Sequence, residues 1–147
     1  MKNIFKLIAI FAIAMSGFAF GQTKATVTTQ TDLYKSKMVE LVNLAKPYYK
    51  SGMTYDGFIK SCGGLPTGGF TAQETALMKE TYSYLAKGST DSEIYSATTG
   101  ATLKEAAQAN AFQNQAVNLT AKDPKCNFWC QIAMKIIQVI INAILGN

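Results

Sequence analysis

An all-α fold, a small bundle of five or six helices around a long apolar C-terminal helix, follows from three observations on the sequence. The final stretch, residues 123–147, reads DPKCNFWCQIAMKIIQVIINAILGN and is apolar at almost every position from Phe128 onward. Threonine–glutamate pairs at capping-box spacing open three further segments, Thr71/Glu74, Thr90/Glu93 and Thr102/Glu105. In such a box the hydroxyl and the carboxylate each satisfy a backbone donor of the first helical turn. No segment alternates apolar and polar residues over a strand's length.

Taken in order, Met1–Gly21 has the layout of a secretory signal peptide. Lys2 and Lys6 precede the apolar run Leu7–Met15, and Ala19-Phe20-Gly21 puts small residues at the cleavage positions. The chain is therefore expected to be exported, periplasmic or extracellular, beginning at Gln22. Residues 22–30 are rich in threonine and lysine and read as a flexible leader; residues 31–147 read as one helical domain. Thr31 or Asp32 is placed to cap a first helix, and Tyr34, Met38, Leu41, Ala45 and Tyr48 mark its buried face. Pro47 should end it near Lys46, because proline lacks the N–H and disfavours helical backbone before it. A short helix is predicted from Thr54 to Cys62 with Phe58 and Ile59 inward, followed by a loop at CGGLPTGGF, residues 62–70. The first capping box opens a helix to about Lys87 with Leu77, Met78, Tyr82 and Leu85 on one side, stopped by Gly88. The second opens a short helix through Ile94 and Tyr95. The third opens one through Leu103, Ala106, Phe112, Ala116 and Leu119.

For the last helix Asp123 is the expected cap, Pro124 the first residue and Gly146 the stop. At 100° per residue, Gln131, Lys135, Gln138 and Asn142 share an arc of roughly 60°, and the rest of the surface is apolar. Such a helix belongs to a bundle centre or enters a membrane. Trp129, Lys135, Ile136, Ile140 and Ile144 are the candidate residues for a membrane or partner contact. About 22 residues reach roughly 33 Å, enough to cross a bilayer. Lys135 near the centre costs about 2.5–3.5 kcal/mol on insertion scales, so a core position is favoured over a permanent span.

Three cysteines, Cys62, Cys126 and Cys130, are disulfide candidates in an oxidising compartment. Cys126 and Cys130 lie one turn apart on the expected helix, within reach but poorly directed. A bridge from Cys62 to either would close a loop of about 65 residues, contributing roughly 4 kcal/mol in the chain-entropy model. Cys126, beside Lys125 in a first helical turn, has features that lower a thiol pKa, but its spacing to Cys130 is not that of a thioredoxin-like motif.

Composition narrows the function. There is no histidine, which removes histidine-based nucleophile systems and the commonest metal ligand. The acids show no spacing that pairs two on one face, and Glu74, Glu93 and Glu105 are accounted for by capping. No catalytic, cofactor or metal residues are assigned. Gly64–Gly69 has phosphate-loop spacing, but Phe70 stands where the lysine should be. Without Lys2 and Lys6, 12 lysines face 9 acids, a net charge of +3, and there is no arginine. That argues against a nucleic-acid partner and is compatible with an anionic membrane surface. Seven tyrosines, including Tyr48, Tyr49, Tyr82 and Tyr84, are candidates for an aromatic patch. The expected role is macromolecular binding, to a protein or envelope component. The alternative is a membrane-active, pore-forming or toxin-like protein whose terminal helix inserts.

Overall fold

The structure is a computed structural model and describes residues 22–117 and 119–145. The expected signal peptide, Met1–Gly21, and the expected helix stop, Gly146, lie outside the described residues. Among the described residues the chain forms six α-helices and no strand: α1 (Gln22–Ala45), α2 (Tyr55–Ser61), α3 (Ala72–Lys87), α4 (Asp91–Ala97), α5 (Ala101–Gln108) and α6 (Phe128–Leu145). Single 3-10 turns lie at Lys46–Tyr48 and Gln113–Gln115.

α1 takes in residues 22–30, whose composition reads as a leader, so Thr31 and Asp32 lie inside the helix and neither caps it. Once packing fixes the turns around Met38, each further residue adds one hydrogen bond, and extension is far easier than nucleation. Asp32 instead accepts a hydrogen bond from the Tyr95 hydroxyl at 3.0 Å. Met38, Leu41 and Ala45 are fully buried, and α1 stops at Ala45, two residues before Pro47. It packs against α3, α4, α5 and α6.

The local end signals act where hydrogen bonds can be made within one turn. Thr54 caps α2 by accepting from Gly57 N–H. Both expected capping boxes at Thr71/Glu74 and Thr90/Glu93 are complete. α3 ends in a Schellman turn: Ser89 N–H bonds to Tyr84 O, Gly88 N–H to Leu85 O, and Gly88 takes the left-handed conformation.

The third box does not form. α5 starts at Ala101 after a left-handed Gly100, so Thr102 falls inside the helix. The hydroxyls of Thr98 and Thr99 already accept from Gly100 and Ala101 N–H, satisfying early donors from upstream. α5 is also shorter than its alanine-rich sequence suggests. Asn110 turns left-handed at φ 53°, Ala111 N–H reaches back to Ala106 O and Asn110 N–H to Ala107 O. This is again a Schellman ending, here with asparagine, the residue after glycine best suited to that conformation. Phe112 and Ala116 are buried beyond the helix.

α6 begins at Phe128, four residues later than a cap at Asp123 implies. Asp123 folds a tight turn, its carboxylate accepting from Lys125 N–H at 2.8 Å. The cap is Asn127, whose side-chain oxygen accepts from Cys130 N–H at 3.0 Å. Cys126 therefore sits outside the helix, free of helical geometry, and bonds to Cys130 with the Cα atoms 5.0 Å apart. Cys62 is unpaired and buried. The bridge thus staples one helix entry, worth roughly 2 kcal/mol for so short a loop in the chain-entropy model. It does not tie the middle of the chain to its end.

The core joins faces of all six helices. Phe58, Leu77, Met78, Ile94, Leu103, Ile132 and Ile136 are fully buried. Tyr34, Tyr48, Tyr49, Tyr55, Tyr82 and Tyr84 pack in or against it and do not make a free patch. Tyr84 is buried, and Tyr48, Tyr49 and Tyr82 are half-buried against it. Tyr48 tilts onto Phe128 at 4.8 Å, and Tyr82 packs on Phe58 and donates from its hydroxyl to Met53 O. An aromatic ring carries large apolar area, so it is drawn inward while its hydroxyl finds a partner at the rim.

Two outcomes are expected. A Cβ at Gly100 would stand 2.7 Å from the Tyr34 side chain, whereas one at Gly88 would meet nothing within 4 Å. In urea unfolding, Gly88→Ala should cost about 1 kcal/mol, the left-handed strain alone, and Gly100→Ala more than about 2 kcal/mol. Burial pushes the Cys62 thiol up to about 12. Mass spectrometry after alkylation should therefore find no label on the native oxidised protein, one on the denatured oxidised protein, and three after reduction.

Candidate functional site

α6 is the element with surface to offer, and its two halves differ. The first half is locked in place. Trp129 is buried and donates its indole N–H to Gly64 O at 2.8 Å. Its ring stacks on Phe112 with an interplanar angle of 5° and meets Phe70 edge-on at 5.1 Å. Ile132, Ala133, Ile136 and Val139 are fully buried against the other helices, with α1 and α5 as the main neighbours.

The polar stripe is matched at the two positions nearest the bundle. Gln131 donates to Ala121 O at 2.9 Å. Lys135 donates to Glu40 of α1 at 3.1 Å, and Lys37 reaches the same carboxylate oxygen at 3.2 Å. Partial burial alone would raise the Glu40 carboxyl. Hydrogen bonds from Lys135 and Lys37, together with their charge, outweigh it and hold the group below its ordinary range. The lysine that counts against a membrane position is therefore paired inside the fold.

Past Val139 the cover gives out. Ile140 is half-buried, while Ile141, Ile144 and Leu145 are 47%, 78% and 65% exposed. At 100° per residue Ile137, Ile141, Ile144 and Leu145 fall on one side of the helix, beside the polar stripe. Among the described residues these make an apolar end that the bundle leaves open.

The residues expected at a membrane or partner contact thus separate. Trp129 and Ile136 are core, Lys135 is half of an ion pair, Ile140 is at the edge, and Ile144 is the most exposed of the five. Ile141 and Leu145 belong to the open surface and were not singled out by sequence. The available signal was that a helix apolar over about 300° carries more apolar surface than neighbours on one side can cover.

Several acidic side chains are occupied with structural work. Glu80 accepts from the hydroxyls of Tyr84 and Thr98, each at 2.9 Å. Asp91 accepts from the Asn43 side chain at 3.0 Å. Glu74 accepts from Thr71 N–H with one oxygen and from Phe112 N–H with the other. Among the described residues no group of three or more cysteine, aspartate or glutamate side chains comes together to hold a metal ion.

The Glu40 ion pair makes a pH-dependent contribution whose sign follows from its lowered carboxyl. The contribution is full above the ordinary carboxylate range and is lost as pH falls through the depressed folded-state value. Glu40→Gln should cost about 0.5 kcal/mol at pH 7, since both groups are partly exposed. Unfolding curves of variant and parent should converge in acid. Comparison with known proteins gives no match to a family model, a curated protein or a solved structure.

Proposed function

We propose that the protein is an exported binding protein without catalysis of its own, holding a protein or other envelope component against the uncovered end of α6. The observation that carries this is the exposure of Ile141, Ile144 and Leu145 on a helix whose other half is anchored in the core. Apolar side chains grouped on one open face gain by being covered, and a rigidly held helix loses little entropy when they are. The paired Glu40–Lys135 and the buried Trp129 fix the direction in which that end projects. The absence of histidine and the structural use of several acids support a role without chemistry.

A second reading has its own support. The 18 residues of α6 are long and apolar enough to cross a membrane. At 1.5 Å per residue they span about 27 Å, close to the hydrocarbon thickness. Full insertion would strip Trp129, Ile132 and Ile136 from the core and part Lys135 from Glu40. Shallow entry of the last two turns would not.

One experiment separates the readings. A photo-crosslinking phenylalanine analogue at Ile144 should give one defined protein adduct in intact cells, and the same probe at the exposed Glu105 should not. Adding Ile141→Asp should remove the adduct. Binding to anionic vesicles at low salt, with dye release abolished by Ile141→Asp, would move the assignment to the membrane. Neither adduct nor vesicle binding would end both readings.

A further inference from the structure

A second concave surface lies apart from the end of α6. The glycine loop at 62–70 faces the segment 109–115 across a cleft of about 520 Å³. That falls within the size range of small-ligand sites, about 300–1,000 Å³. The cleft exists because α5 ends early. Phe112 takes a left-handed backbone, φ 65°, and puts its ring down onto Trp129. Such a conformation is rare for a bulky side chain. It is held by Phe112 N–H donating to Glu74 at 2.8 Å. With that ring turned inward, the residues on either side of it line the opening.

One wall is rich in a single polar group, beside the apolar Pro66, Ala109 and Phe112. Asn110, Asn114 and Gln115 bring three carboxamide residues to that wall, with Gln113 beside them. Gln113 turns its amide toward α6, donating to Ala111 O at 3.1 Å and to Ala133 O at 3.4 Å, and among the described residues no hydrogen bond engages the side chains of the other three. The opposite wall holds Thr67 and the bare backbone of Gly68 and Gly69. Among the described residues no lysine lines the cleft, and the one carboxylate that does, Glu74, already accepts backbone N–H donors on both oxygens.

A carboxamide offers two donors and an acceptor without charge. Hydroxyl groups, which donate and accept at once, match that pattern. An anion would find no cation here and would meet Glu74. An extended peptide would find no strand edge to pair with among the described residues. We infer that this cleft is a binding site for a neutral, hydroxyl-rich ligand, a short stretch of uncharged glycan. Asn114 and Gln115 are its main hydrogen-bonding groups, and the open glycine wall lets a sugar ring approach the backbone. The site shares no residue with the exposed end of α6, so either assignment can fail without the other.

The test is titration of the ¹⁵N-labelled protein with maltohexaose, cellohexaose and chitohexaose, followed by amide chemical shifts. At least one sugar should shift Gly68, Gly69 and the side-chain amides of Asn114 and Gln115 at millimolar concentration, leaving Ile141–Leu145 unmoved. Asn114→Ala combined with Gln115→Ala should weaken that binding about tenfold, with thermal unfolding unchanged because Asn114 is exposed and Gln115 only half-buried. The assignment is overturned if no sugar shifts these amides. It is equally overturned if tetraglycine or inorganic phosphate does so and the sugars do not, or if the double variant binds the sugar as the parent does.

Discussion

Trp129 joins three parts of the chain that are far apart in sequence. Its N–H is satisfied by Gly64, 65 residues away. Its face is covered by Phe112 and its edge by Phe70. A buried indole needs both an apolar cover and an acceptor. Supplying them fixes the path of the glycine loop, the left-handed turn at Phe112 and the entry of α6 at once. The Cys126–Cys130 bridge and the Asn127 cap hold that entry from the other side. The cleft between the loop and the 109–115 segment is a by-product of the same arrangement, since both of its walls hang on rings that pack under them.

From this anchor α6 runs outward past the bundle. Its neighbours cover it as far as Val139 and then stop. α1, its main neighbour, also packs against α3, α4 and α5. The change from fully buried to largely exposed takes place within two turns. The Glu40–Lys135 pair lies before that change, on a partly exposed seam between α1 and α6. The outcome is a firmly held base with an apolar tip, a shape suited to contact with something outside the chain.

The two proposed surfaces differ in the physics they would use. The α6 tip offers apolar area and little direction, so its affinity would come from covering area. The cleft offers directed hydrogen-bonding groups beside the apolar Pro66, Ala109 and Phe112, so it would select by pattern. A protein carrying both could hold a partner with one and a glycan with the other, with no covalent step at either.

Features settled within a few residues were open to sequence reading. The stop before Pro47, the caps at Thr54, Thr71 and Thr90, and the left-handed end at Gly88 each depend on hydrogen bonds inside one turn. The all-α class followed from such signals and from apolar spacing. What the sequence left open depended on competition between distant groups. Thr102 and Glu105 have the right spacing, yet upstream threonines and the close fit of Gly100 on Tyr34 start α5 earlier. Asp123 and Asn127 are both able to cap, and the bridge to Cys130 is formed where Asn127 takes that role. The apolar character of α6 was legible, but not where its cover ends. Which side of a helix is buried is a property of its own residues; how far along it is buried is set by the lengths and positions of its neighbours.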